Sequence, residues 1–586
     1  MRPLIFLLLL SVSVPALAEH TASQRLERLV AEAQERAFDL YPFGETMGKG
    51  AGPRQDKVEL TFSDEHRERQ RVHNRWILQE LAAIGANELN TSEKLTRALL
   101  ERRSRESLEW LSHPFHQHSV LIQMDGGLGT TLIKLVARQP LRDESDYHAW
   151  LTRVARLARY IDGVADVLRA GAAAGITTPR VIVENALKQL DALAPDDIEQ
   201  SALWKPITAF PASIPETQRQ AIEAEYRETL SKSVMPALRR LTSYVRSNYL
   251  PRARTTDGFS ALPHGDAMYR LAVRHETTTD MTPDEIHALG LKEVARVQSL
   301  LANAGRRAGF TGPLAALQSW IASNPRNYPF TSGEQVLEYL RSIHARIVPQ
   351  LPQLFLRFPM ARFEIQLTEP ELAPTAAAQW NPPSDDGTRP GIFKIPVIDP
   401  RKQSVFGLAA LLAHEGMPGH HFDGGIRLEN QVPEFRRRMS VNAFGEGWAL
   451  YAESLGERLG IYDDPLELMG RYHYELFRAC RLVIDTGLHW KGWTRARAID
   501  YFVDECGQSR GGATVEVLRY MVWPGQALSY KIGELTIRDI RSRAEQRLGS
   551  RFDIRAFHDA VLAEGHMPME MLRARMYAWI DEQARN

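Results

Sequence analysis

At 586 residues and 66.3 kDa the chain is long enough for one large domain or several ordinary ones, with a core deep enough to enclose a site. Lys plus Arg and Asp plus Glu both number 72, so the formal net charge is zero. That balance argues against a dedicated nucleic-acid binder, whose domains carry a basic excess.

The chain opens with Arg2, an apolar run LIFLLLL and Ala16-Leu17-Ala18 before Glu19. This reads as a secretory signal over residues 1–18, cleaved after Ala18. No later stretch reaches the roughly 18 apolar residues that a membrane span needs, so no span is predicted. No cysteine follows the cleavage point, so lipid attachment there is not expected, and an exported protein, periplasmic or secreted, is. The two cysteines, Cys480 and Cys506, can join in an oxidising compartment or remain two buried thiols; their spacing does not decide.

The mature chain reads as mainly α-helical, with a helical region over 19–265 and a catalytic region over 266–586 that can also be one continuous domain. Thr282-Pro283-Asp284-Glu285 combines an N-cap, a proline at the first helical position and a capping-box glutamate, which predicts a helix to about Ala304. Residues 361–399 break the helical pattern. RFEIQLTE alternates Phe363, Ile365 and Leu367 with polar partners, and GIFKIPVI is a second strand, expected at a sheet edge or ending at Pro396. NPPSDDGTRPG between them is a loop. A helix with Val405, Leu408, Leu411 and Leu412 as its buried stripe then leads into HEGMPGHH. Ser440 is a candidate cap for a helix carrying FGEGWALYAESLGERL to Gly460, and Asp464-Pro465 starts another.

HEGMPGHH carries the chemistry. In the zinc-hydrolase pattern HExxH, two histidines at i and i+4 share one helix face and meet one metal ion. Here Pro418 stands at the second histidine's position. On an unbroken helix His420 points roughly 120° away from His414, and His421 lies about 10 Å further along. Proline cannot donate to the carbonyl four residues back and Gly419 permits unusual dihedrals, so the helix should kink or end there. Such a break can fold His420, ahead of His421, back toward His414. Glu415 would then take a proton from the attacking water and pass it to the leaving group. Catalytic zinc needs a third protein ligand, and Glu446 in GEGWALYAE is the candidate; Glu453, two turns on, could orient a histidine or replace Glu446.

HEGMPGHH, GEGWALYAE, RLVIDTGLHWKGWTRARAIDY and WPGQALSYKIGEL, in this order, resemble the bacterial family known as domain of unknown function 885. The resemblance covers most of the mature chain, including LGLKEVARVQSLL and NPPSDDGTRPGIF. The family is similar to the glutamate-zincin peptidases. Dipeptidyl peptidase III offers a comparison, because its motif also carries an insertion within HExxH and a glutamate from a later helix. The resemblance implies His414, His420 and Glu446 as ligands of one zinc ion and Glu415 as the base; the insertion is two residues here rather than one.

Three further groups are candidates. Asp485 and His489, at i and i+4, could form a carboxylate-oriented oxyanion donor or a structural pair. Tyr530, beyond the Pro524-Gly525-Gln526 turn and partnered across it by Tyr520, is a second possible oxyanion donor. Arg478 and Arg481 could bind a substrate carboxylate or sit in ordinary salt bridges. The expected activity is hydrolysis of peptide bonds; the alternatives are hydrolysis of a non-peptide amide or ester, and an inactive metal- or peptide-binding protein.

Overall fold

The computed structural model describes residues 21–118, 121, 127–370, 373, 377–384 and 389–585. The signal segment over 1–18 lies outside the described residues. The elements that position the site are helices α1 (Ala22–Leu40), α2 (Asp64–Ala82), α3 (Thr91–Trp110), α4 (Glu144–Ala173) and α5 (Pro283–Ala308). Strands β1 (Phe363–Leu367), β2 (Gln379–Asn381) and β3 (Gly391–Ile395) follow, then α6 (Leu408–Glu415), α7 (His420–Glu429), α8 (Asn442–Leu455), α9 (Pro465–His489) and α10 (Ser529–Leu548). The fold is mainly α, with one three-stranded sheet among the described residues. No helix among those residues is long and apolar enough to cross a membrane.

Local rules explain where the helices start. Thr282 and Glu285 form the reciprocal capping box, Pro283 takes the first turn, and α5 runs one turn past Ala304 to end at Gly309 in the left-handed region. Asp464 caps α9 as its sequence predicts. Ser440 does not cap α8. That helix begins after Val441 with no side-chain cap and stops at Leu455, and the chain closes through a turn before Gly460.

The sheet has one strand more than expected. Its order is β1-β3-β2, so β3 is the central strand, parallel to β1 and antiparallel to β2. Pro396 is tolerated because β3 ends at Ile395, one residue before the missing N–H would matter. The three residues of β2 come from the segment that enters the predicted loop, and their brevity left no alternation to detect.

Hydrophobic cores do not divide at residue 265. Leu26, Ile77 and Leu99 from α1, α2 and α3 share one core with Leu408, Leu412, Trp448 and Leu572, while a separate core around Trp150, Val164, Leu187 and Tyr249 is built wholly from residues 43–253. Cys480 and Cys506 are joined, tying α9 to the helix Arg495–Cys506 within a third core.

Three of the long helices are also tied by charge. Lys531 on α10 is fully buried and bonds Glu475 on α9 at 2.8 Å, Glu534 at 2.8 Å and Glu293 on α5 at 3.2 Å. Arg296 and Arg538 from its rim and the buried Arg471 complete the network. Burial works against the charged lysine, but the three carboxylates raise its pKa above the ordinary value. Removing one member of a buried, paired network strands the others, at a cost of about 3–5 kcal/mol. Lys531→Met should therefore lower the free energy of unfolding by that order in a denaturant titration.

Candidate metal centre

Helix α6 ends at Glu415, and α7 begins at His420. Pro418 cannot continue the helix, and a four-residue turn separates the two elements. The turn is tight enough that a Cβ on Gly419 would overlap the carbonyl oxygens of His414 and Ala413. One on Gly416 would sit 2.8 Å from the Leu412 carbonyl and from the Phe363 ring. The Trp448 indole N–H, from α8, donates to the Pro418 carbonyl at 2.9 Å and fixes the turn to the next helix.

This break brings the rings of His414 and His420 together edge to face, with centres 4.8 Å apart and planes at 86°. Glu446 on α8 stands between them: its Oε2 lies 3.4 Å from His414 Nε2 and 3.5 Å from His420 Nε2. These separations exceed a good N–H···O hydrogen bond, and Glu446 Oε2 is buried with no hydrogen-bond partner. They match the edge of a tetrahedron whose centre-to-ligand bonds are those of zinc, roughly 3.3 Å for bonds of about 2.0–2.1 Å. Ligating atoms of all three residues lie within 4.8 Å of one another. Two imidazoles and one carboxylate are a donor set for zinc in hydrolases. His421 points elsewhere: its Nε2 bonds the Ala361 carbonyl at 3.1 Å and its ring packs against Phe363.

Glu453, two turns along α8 from Glu446, receives His414 Nδ1–H at 2.8 Å and has Arg478 at 3.5 Å on the same oxygen. This contact fixes the tautomer that leaves His414 Nε2 facing the cluster. Burial alone would lower the His414 pKa, but Glu446 and Glu453 carry it up to about 9. Burial likewise disfavours ionised Glu446, yet the two histidines hold it well below the carboxylate range. Glu415 is buried beside the cluster, and burial raises its pKa against the pull of His420 and His414 and a main-chain hydrogen bond from Trp380 on β2.

The other candidates fall differently. His489 has both ring nitrogens taken, Nδ1 by the Phe259 N–H at 3.2 Å and Nε2 by the Tyr520 carbonyl at 2.9 Å, and burial lowers its pKa to about 3. It has no hydrogen left to offer an oxyanion. Asp485 does not orient it. That carboxyl accepts from the Tyr269 hydroxyl at 2.6 Å and the Gly525 N–H at 3.1 Å, and burial raises its pKa to about 7. The i, i+4 spacing placed the pair on one helix face without saying what that face meets. Tyr530, at the start of α10, lies one turn before Gly533, where α10 packs against Gly447 beside Glu446. Its hydroxyl accepts from Arg519 at 3.4 Å, and Arg481 stacks 4.3 Å from its ring centre. Arg481 also donates to Tyr520 at 2.9 Å and Glu516 at 3.1 Å, so it is a buried, largely paired cation. Trp380 was missed by sequence reasoning, because it stands at the entry to a predicted loop.

A histidine that holds its proton up to about pH 9 must release it to bind a metal. Zinc titration of the metal-free protein should show affinity rising about tenfold per pH unit between pH 7 and 9, with one proton released per ion. Glu453→Gln should weaken zinc binding by roughly 10–100-fold, as loss of a ligand-orienting carboxylate does elsewhere. A pH-independent zinc affinity, or a parental affinity in Glu453→Gln, would contradict this account of His414.

The whole-chain comparisons agree on a shared fold. A candidate lipoprotein from Colwellia psychrerythraea is similar over 96% of this chain and 100% of its own, at 28% identity and a TM-score of 0.88. A candidate lipoprotein of unknown function from Shewanella oneidensis is similar over 95% of this chain and 100% of its own, at 17% identity and a TM-score of 0.75. A likeness to a Bacillus anthracis protein described as an oligoendopeptidase F, at 11% identity and a TM-score of 0.27, is too remote to carry an argument. No curated protein matches the sequence. The family described as bacterial protein of unknown function, DUF885, matches residues 45–576. Since the match spans nearly the whole chain, the protein belongs to the DUF885 family.

Proposed function

We propose that the protein is an exported, zinc-dependent peptidase acting on short peptides. The observation that carries this reading is the position of Glu446 Oε2, 3.4 Å from His414 Nε2 and 3.5 Å from His420 Nε2, with ligating atoms of all three residues within 4.8 Å of one another and Glu415 beside them. Two histidines and a carboxylate can serve a structural ion, but a structural ion has no use for an adjoining buried glutamate whose pKa is raised. Similarity to two candidate lipoproteins supports export, as does a disulfide between the two cysteines.

His414, His420 and Glu446 would hold the ion. Zinc, when bound, supplies Lewis acidity toward a substrate carbonyl and toward water. Glu415 then does the proton work, accepting from the attacking water and returning the proton to the leaving amine. Its burial moves its pKa up toward working pH, which lets one carboxylate act in both directions. The Trp380 main chain holds that carboxylate in place from β2. Tyr530, with Arg519 on its hydroxyl, is the remaining candidate to donate to the developing oxyanion.

Glu415→Gln separates binding from chemistry. The variant should keep one zinc per chain by metal analysis and lose about 10²–10⁴-fold in turnover of a peptide that the parent cleaves. Parental turnover in that variant would remove Glu415 from the mechanism. Absence of bound metal from the parent, with activity indifferent to chelation, would remove the zinc reading altogether.

A further inference from the structure

A cavity of about 700 Å³ opens beside Trp380 and the helix that begins at His420, and its wall is cationic. Lys49, Arg138, Arg389, Arg427, Arg437 and Arg438 line it, and no acidic residue does among the described lining residues. The few carboxylates nearby do not cancel this charge. Glu434 pairs with Arg438 at 2.9 Å and stands 3.9 Å from Lys49, and Asp423, bonded to His566 at 2.7 Å, also faces Arg427. Asp385 and Asp386, close in sequence to Arg389, lie outside the described residues. Counting both of them, Asp423 and Glu434 against the six cations still leaves the wall positive.

Three of the arginines are anchored by backbone alone. Arg389 donates to the Pro382 carbonyl at 2.8 Å, Arg427 to Met439 at 2.8 Å and Arg437 to Val432 at 2.8 Å. None of the three has an ion pair among the described residues, and Arg427 Nε is buried without a partner. The carbonyls position the guanidinium groups without neutralising them. An excess of positive charge gathered in a concave wall and positioned by carbonyls is arranged for an anion from outside.

The cavity and the metal cluster share structure. Trp380 lines the cavity, and its indole stacks on His420, with ring centres 6.2 Å apart and planes within 19°. On α7, His420, Gly424 and Arg427 follow one another at helical spacing, so one helix face runs from metal ligand to cavity wall. One to two turns of helix separate them, roughly 6–10 Å. An extended peptide covers that span in about two or three residues.

We propose that this cavity receives an acidic segment of the peptide substrate, with its carboxylates two or three residues from the bond cut at His414, His420 and Glu446. The inference rests on the peptidase reading for the word substrate, while binding can be measured apart from cleavage. The probes are a fluorescent Glu-containing short peptide and its twin with Gln in place of each Glu. Both are titrated into zinc-loaded Glu415→Gln protein, so that nothing is consumed. The acidic peptide should bind about tenfold tighter or better, and added salt should erase the difference. Exchange of the two exposed wall residues, Arg138→Gln with Arg389→Gln, should shrink the ratio without asking the core to refold. Equal affinity of the two peptides, or a preference unmoved by salt and by the arginine exchanges, would overturn the proposal. A preference that persists while the parent cleaves neither peptide would leave the cavity's role standing and remove the peptidase reading. Equal binding with cleavage of both would do the reverse.

Discussion

Everything at the cluster depends on a break in the helix between Glu415 and His420. A continuous helix would carry His420 away from His414, and no side-chain rotamer recovers the distance. Pro418 stops the helix, and glycine at 416 and 419 removes the two side chains that would collide with Leu412, Phe363 and the carbonyls of α6. The break is then pinned by Trp448 through the Pro418 carbonyl. Trp448 belongs to the helix that also contributes Glu446 and Glu453. One helix therefore anchors the turn, places the Glu446 carboxylate between the histidines and orients His414, so the three contacts are fixed relative to one another.

Legibility from sequence follows the range of the interaction concerned. The caps of α5 and α9 involve residues a few positions apart, and Thr282-Glu285 and Asp464-Pro465 could be read directly. The helix break at Pro418 is also local. The choice between His420 and His421 is not, because it turns on the direction in which the chain leaves the turn, and that is set by Trp448 and Phe363 from elsewhere in the chain. His489 was misjudged for the same reason: its partners, Phe259 and Tyr520, are far away in sequence, and helical spacing is silent about them. Pro396 allowed β3 either an edge place or an end at that residue; the strand ends just before it, and its central place rests on β2, whose three residues were too few to show a pattern.

Composition hides as much as it excludes. A formal charge of zero over the whole chain coexists with a wall of six cations, because sums over sequence discard position. Arg437 and Arg438 follow Pro433 just before α8, Arg427 lies on α7, Arg389 enters β3, and Lys49 and Arg138 come from the N-terminal helices. Only the fold brings these segments together. The same assembly places them along the helix that begins with a candidate metal ligand.

The charged knot around Lys531 bears on how such a chain can diverge. Lys531, Glu293, Glu475 and Glu534 belong to three helices, and each is nearly inaccessible. An apolar replacement of the whole group can be as stable as the original, yet every route through a single exchange passes an uncompensated buried charge. Relatives of this chain should therefore carry the set intact or lack it as a set, with correlated rather than independent substitution at these positions. The knot acts as a barrier to gradual change, and the relative placement of the three helices is inherited with it.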